Sequence, residues 1–121
     1  MAEHNDFGKK GEEIAADYLE KKGYKILEKN WVSGKYEIDI IAHDGKYLVV
    51  VEVKSRHSKF AGEPETAVTR DKQKMLIRAA NSYVLRNHID DEVRFDIISI
   101  LVVKDQEQIH HIEDAFYPTL F

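Results

Sequence analysis

The sequence predicts an α/β protein, a central mixed β-sheet flanked by helices, with elements in the order α-β-β-β-α-β-β. Three observations predict it. Two segments, residues 6–22 and 67–87, carry apolar residues at helical spacing. Five shorter segments are rich in Ile, Val and Tyr. One of these, "RFDIISILVV" at 94–103, is nearly apolar on both faces, as a strand is when it lies in mid-sheet with helices over it. One sheet with packed helices follows, and 121 residues at 43% hydrophobic content suit a single domain, 1–121, with one core.

Each element has its own signature. In the first helix, Phe7, Gly11, Ile14, Ala15 and Tyr18 share a face, with Leu19 beside them; lysines fill the last turn and Gly23 ends it. "YKILEKNW" at 24–31 reads as a short strand. Residues 36–42 and 47–54 read as a hairpin around "HDGK", Asp-Gly being a strong turn signal. Residues 55–66 are a polar loop with Gly62 and Pro64. Val68, Met75, Leu76, Ala79, Ala80 and Tyr83 form the apolar face of the second helix. After the buried strand, "QIHHIEDAF" reads as an edge strand.

Composition narrows the function. Without cysteine there is no disulfide and no thiolate zinc site, which suits a reducing compartment. The polar start "MAEHNDFGKKGEE" lacks a signal-peptide core, and no apolar run approaches the roughly 20 residues that span a bilayer. A soluble cytoplasmic protein with no membrane partner is expected. The net charge of -4 weighs against a nucleic-acid partner, but its distribution does not. Residues 54–78 hold seven Lys or Arg against three acids, a basic segment able to meet phosphate or simply a solvated helix face.

The hairpin poses the chemical question, because Glu37, Asp39, Glu52 and Lys54 interrupt an apolar background. If the turn closes over Asp44-Gly45 or over His43–Lys46, Glu37 faces Glu52 and Asp39 faces Val50. All four polar residues then project from one side, with Asp39 and Glu52 as diagonal neighbours roughly 7–8 Å apart. Ile38, Ile40, Ala42, Val49, Val51 and Val53 would form the other face. Clustered carboxylates repel one another and resist desolvation, a conflict that a divalent cation removes. Oxygen ligands without cysteine suit Mg²⁺ or Mn²⁺, which polarises a phosphoryl oxygen and lowers the pKa of a bound water. Lys54 would reach the same phosphate. By itself, Glu-x-Lys on a strand is more commonly a solvated edge; the register with Asp39 and Glu37 is what favours a site.

"EID" followed, after twelve intervening residues, by "EVK" resembles the PD-(D/E)xK nuclease signature. More closely, the chain resembles the YraN-like family of predicted endonucleases. The resemblance is carried by "GKKGEEIAADYLEKKGYKILEKNW", "YEIDIIAHDGKYLVVVEVKSR", "DKQKMLIRAANSYV" and "RFDIISI", nearly the whole length. Two features depart from the pattern: Tyr36 stands where a glycine usually precedes Glu-Ile-Asp, and the superfamily's proline is absent. The resemblance implies a restriction-endonuclease-like fold close to archaeal Holliday-junction resolvases. It implies metal ligation by Asp39 and Glu52 and a catalytic role for Lys54. Gly11-Glu12 matches a Gly-Glu near the family's site. Helical spacing also favours Glu12, which shares a stripe with Ala15 and Leu19, over Glu13 on the polar side.

The expected site is therefore Asp39, Glu52, Lys54 and Glu12, with Glu37 as an assisting ligand. Arg56, Lys59, Lys72 and Lys74 are the expected nucleic-acid contacts. Lys72 falls on the apolar face of its helix, where a snorkelling lysine is the plainer reading. His110 and His111 would point to opposite faces of a strand and are read as structural. The expected function is Mg²⁺- or Mn²⁺-dependent hydrolysis of DNA, with branched DNA suggested only by the resolvase likeness; resolving a symmetric junction would require a homodimer. The rivals are a nucleic-acid-binding module of the same fold without efficient turnover, and a structural protein whose hairpin charges are salt bridges.

Overall fold

A computed structural model describes residues 2–57 and 68–118, with side chains from residue 9 onward. Its elements are α1 (Ala2–Lys21), β1 (Lys25–Ser33), β2 (Tyr36–His43), β3 (Leu48–Arg56), α2 (Arg70–Arg86), β4 (Val93–Val103) and β5 (Gln106–Phe116). The predicted order holds. The five strands form one sheet in sequence order, in which only β3 and β4 are parallel. That parallel step is the one that α2 bridges, as a crossover must. Lys59 and the rest of the loop expected over 58–66 lie outside the described residues.

One helix covers each face. Ala15, Ala16 and Leu19 of α1 pack on Ile40, Ala42, Val49, Val51, Ile98 and Ile100. Leu76, Ala79, Ala80 and Tyr83 of α2 pack on Ile41, Leu48, Val50, Phe95 and Ile97. These two clusters account for the unbroken apolar character of β3 and β4, whose residues are buried from both sides. The second helix starts at Arg70 rather than 67 because Thr69 caps it, its hydroxyl accepting the Lys72 N–H at 3.2 Å. Among the described residues, no helix is long and apolar enough to cross a membrane.

The hairpin differs from the expected register by two residues. His43 pairs with Leu48 and Ile40 with Val51, so Asp44–Tyr47 is the turn. Asp44 draws Tyr47 out of the strand: its Oδ1 accepts the N–H groups of Lys46 (2.9 Å) and Tyr47 (2.6 Å). Because the shift is two residues, side chains stay on their expected faces.

Ile38 is the exception. Expected with Ile40 on the α1 side, it instead joins the α2-side cluster with Ile41 and Val50. The alternation breaks where Asn30 of β1, at φ +53°, lies between the pairs Lys29↔Ile40 and Trp31↔Ile38. Asn tolerates this left-handed conformation better than most residues, and one such residue suffices to reverse the facing of its successors in the strand.

Candidate active site

The interruption at Ile38–Ile40 creates the site. Backbone pairing of β2 with β3 runs as far as Ile40↔Val51. Just beyond it the Val53 N–H donates to the Asp39 side chain, with Oδ2 at 2.8 Å. The strands part there, and a carboxylate takes the acceptor's place. The observed register, extended one step, sets Asp39 directly opposite Glu52 rather than diagonal to it.

Glu52 is 4% exposed, and its Oε2 has no hydrogen-bond partner. The nearest cation is Lys72 on α2, whose Nζ is 3.4 Å away, close enough for an ion pair but not aligned as a donor. Burial and then hydrogen-bonding contact with Glu52 push the Asp39 carboxyl up to about 8, against the opposing pull of the Val53 N–H and Lys72. Two facing carboxylates in an apolar surrounding resist being charged together.

Glu12 approaches from α1. It is half-buried, whereas Glu13 is exposed, as the helical spacing predicts. Burial raises its pKa and the charge of Asp39 adds to the rise, while a hydrogen bond with the Asn30 side chain opposes it. Gly11 permits this approach: a Cβ there would collide with Ser55 Oγ and stand 3.2 Å from Ser55 Cβ. Glu37 is exposed and acts on Glu12 by charge alone. Lys54, two residues beyond Glu52 and on the same face by strand alternation, is half-buried.

The four expected nucleic-acid contacts separate. Lys72 belongs to the carboxylate cluster. Lys74 is half-buried on α2. Arg56 turns into the sheet, with Nη2 3.4 Å from Ser99 Oγ and its Nε and Nη1 buried without an acceptor. Lys59 lies outside the described residues.

Among the described residues, no three His, Cys, Asp or Glu side chains are arranged to hold a metal ion. The donors present are the Asp39–Glu52 pair, with Glu12 beside Asp39. Two carboxylates, one with an unsatisfied buried oxygen, fit Mg²⁺, which commonly takes one or two carboxylates and completes its shell with water and phosphate.

Sequence reasoning missed a second polar cluster. Asp96, 1% exposed on β4, accepts from Arg94 Nε and Nη2 (both 2.9 Å), from the Asp114 N–H (3.0 Å), and sits 2.7 Å from His111 Nε2. Arg94 continues to Asp44 (2.9 Å) and to the Tyr24 hydroxyl (2.8 Å). The available signal was a pair of charges two residues apart in an otherwise apolar strand. His111 is buried here and His110 is exposed, as strand alternation requires.

Fold and site together define an α/β protein with a carboxylate pair, Glu52 buried and Asp39 half-buried, where two central strands part and a lysine of the facing helix set against it. The chain belongs to the uncharacterised protein family UPF0102, whose model matches residues 11–100. This is the YraN-like family that the sequence resembles. The chain is similar to the UPF0102 protein FP2501 of Flavobacterium psychrophilum, 50% identical over 117 residues that cover 97% of this chain and 98% of that one. It is 47% identical to a UPF0102 protein of Bacteroides thetaiotaomicron over the full length of both. With a UPF0102 protein of Porphyromonas gingivalis it shares 46% over 118 residues, 96% of this chain and 87% of the relative.

Proposed function

We propose that this chain is a metal-dependent deoxyribonuclease of the restriction-endonuclease-like fold, acting on phosphodiester bonds in the cytoplasm. One observation carries the reading: a buried Glu52 oxygen without a hydrogen-bond partner, facing a carboxyl whose ionisation is suppressed. Lys72 meets that oxygen by charge at 3.4 Å without a hydrogen bond, so a salt bridge alone leaves it incompletely satisfied, and a pure binding module has no need of the pair. Asp39 and Glu52 would hold Mg²⁺ or Mn²⁺, with Glu12 and Glu37 supporting from the side. Bound there, the ion would supply Lewis-acid polarisation of phosphate and an acidified water. Lys54 stabilises charge developing on the phosphoryl oxygens. Lys72 neutralises Glu52 until a cation and a phosphate share the site. The likeness to junction resolvases directs attention to branched DNA and a homodimer.

The test is cleavage of single-stranded, duplex, flapped and four-way DNA with Mg²⁺ or Mn²⁺. Cleavage of at least one substrate is expected, abolished by Asp39→Asn and by Glu52→Gln. Intact substrate throughout, with no DNA binding in Ca²⁺, would sink the proposal in favour of a structural role.

A further inference from the structure

A cleft of about 260 Å³ opens beside the site, between α1, the end of β3 and the β4–β5 turn. Gly11 and Ser55 are in its wall, and each is the chain neighbour of a site residue, Glu12 and Lys54. Adjacent Cα atoms are about 3.8 Å apart, so cleft and carboxylates are separated by little more than a backbone. Ile14, Ile100 and Val102 give the cleft an apolar lining. Beyond Ser55, its polar lining is Lys10, His57, Asp105 and Glu107, all four exposed.

We infer that this cleft receives one unpaired nucleobase of the DNA strand being cut, an inference that rests on the nuclease reading above. Size argues for a single planar ring system, since the volume falls below the roughly 300–1,000 Å³ of pockets for larger ligands. Charge argues for a base and against a phosphate. The two carboxylates outnumber Lys10 in the lining and disfavour the backbone, which Lys54 and Lys72 attract on the other side of β3. The same carboxylates accept hydrogen bonds from exocyclic amino groups, as Asp and Glu do with cytosine. Guanine offers such donors on its pairing edge and thymine has no amino group at all. A base can reach this cleft only after leaving its stack, which costs least in flaps, branches and single strands. The substrate class is therefore DNA with an unpaired nucleotide next to the cut, with guanine preferred to thymine.

The experiment maps the cut on a flapped substrate and then varies the adjacent unpaired nucleotide among guanine, thymine and an abasic residue. Single-turnover cleavage should fall about tenfold for the abasic substrate, the lower part of the range for one stacked base. Thymine should lie between guanine and abasic. Glu107→Gln should narrow the gap between guanine and thymine. Val102→Trp, checked by its melting temperature, should make a guanine substrate behave as abasic. 2-Aminopurine at the same position should change its fluorescence on binding in Ca²⁺. Equal rates for all three substrates, or unchanged fluorescence on bound DNA, overturn the inference and leave the nuclease reading standing. A protein that cuts nothing fails the nuclease reading instead. Guanosine titrated into the full chain then tests the cleft alone: amide shifts at Gly11, Ser55 and Val102 uphold base binding, and their absence at millimolar guanosine overturns it.

Discussion

Asp39 makes the protein's stability depend on pH in a direction opposite to most carboxylates. Its folded-state value, about 8, lies above the ordinary 3.8, so between these limits the folded state holds a proton that the unfolded state has released. Stability from this residue is complete below about pH 4 and is lost as pH rises through 8. Asp39→Asn, which keeps an acceptor for the Val53 N–H, should stabilise the metal-free protein at pH 8–9 by about 1–3 kcal/mol and have little effect at pH 4. Urea titrations at both pH values in a chelator decide this, and an Asn variant less stable at pH 9 contradicts it. The two lysines separate by the same reasoning. On the proposed function, Lys54→Ala should depress turnover far more than DNA binding, as a group acting in the transition state would. Lys72→Ala removes the cation beside Glu52, so Mn²⁺ should raise its melting temperature more than it raises that of the wild type.

At the scale of elements, close contact between α1 and β3 matters more than helix propensity. Gly11→Ala would gain about 1 kcal/mol of intrinsic propensity. The collision with the Ser55 side chain costs more, about 1–3 kcal/mol for overpacking between helix and sheet, and moves Glu12 off Asp39. The variant should be less stable and slower in cleavage, whereas Ser55→Gly in addition should restore both. Melting temperatures and single-turnover rates of the three proteins test this. The elements themselves were legible because periodicity is strong: every helix and strand lies within a few residues of its sequence-based position. The meeting of Asp39 with Glu52 was legible through parity, since alternate strand residues share a face whichever turn closes the hairpin. The register was not, because it turned on one side chain, Asp44, bonding two amides that a strand would have used. Nor was the facing of Ile38, which depends on the left-handed Asn30 of the neighbouring strand. Nothing local to Ile38 carries that information.

Across the whole molecule, charge is divided between two buried groups with different tasks. The Asp96 cluster joins β4, β5, the hairpin turn and the start of β1. Burial alone would raise the Asp96 pKa, but bonds from His111, Arg94 and the Asp114 N–H outweigh it and lower the value. Its stabilisation is thus present above the ordinary carboxylate range and is lost only as pH falls below it. Asp96→Asn should cost about 3–5 kcal/mol, the loss typical of a broken buried ion pair, and metal should not repair it. The Asp39–Glu52 pair is unsatisfied by comparison, and this contrast bears on the proposed DNA binding of a chain of net charge -4. Without a divalent ion, Lys72 is held by Glu52 and Arg56 is turned into the sheet, so few of the expected cations face a phosphate. The slope of log affinity against log salt should then be shallow, about -1 to -2, at roughly -0.9 per phosphate neutralised. Ca²⁺ on the carboxylates frees Lys72 and should steepen the slope by about one unit. Lys72→Ala should abolish that difference between chelator and Ca²⁺ while leaving the chelator slope as it was. Fluorescence anisotropy over a salt series measures all four slopes. A wild-type slope that Ca²⁺ leaves unchanged would mean that Lys72 never leaves Glu52, and that its part in the site is to hold that carboxylate rather than to meet DNA.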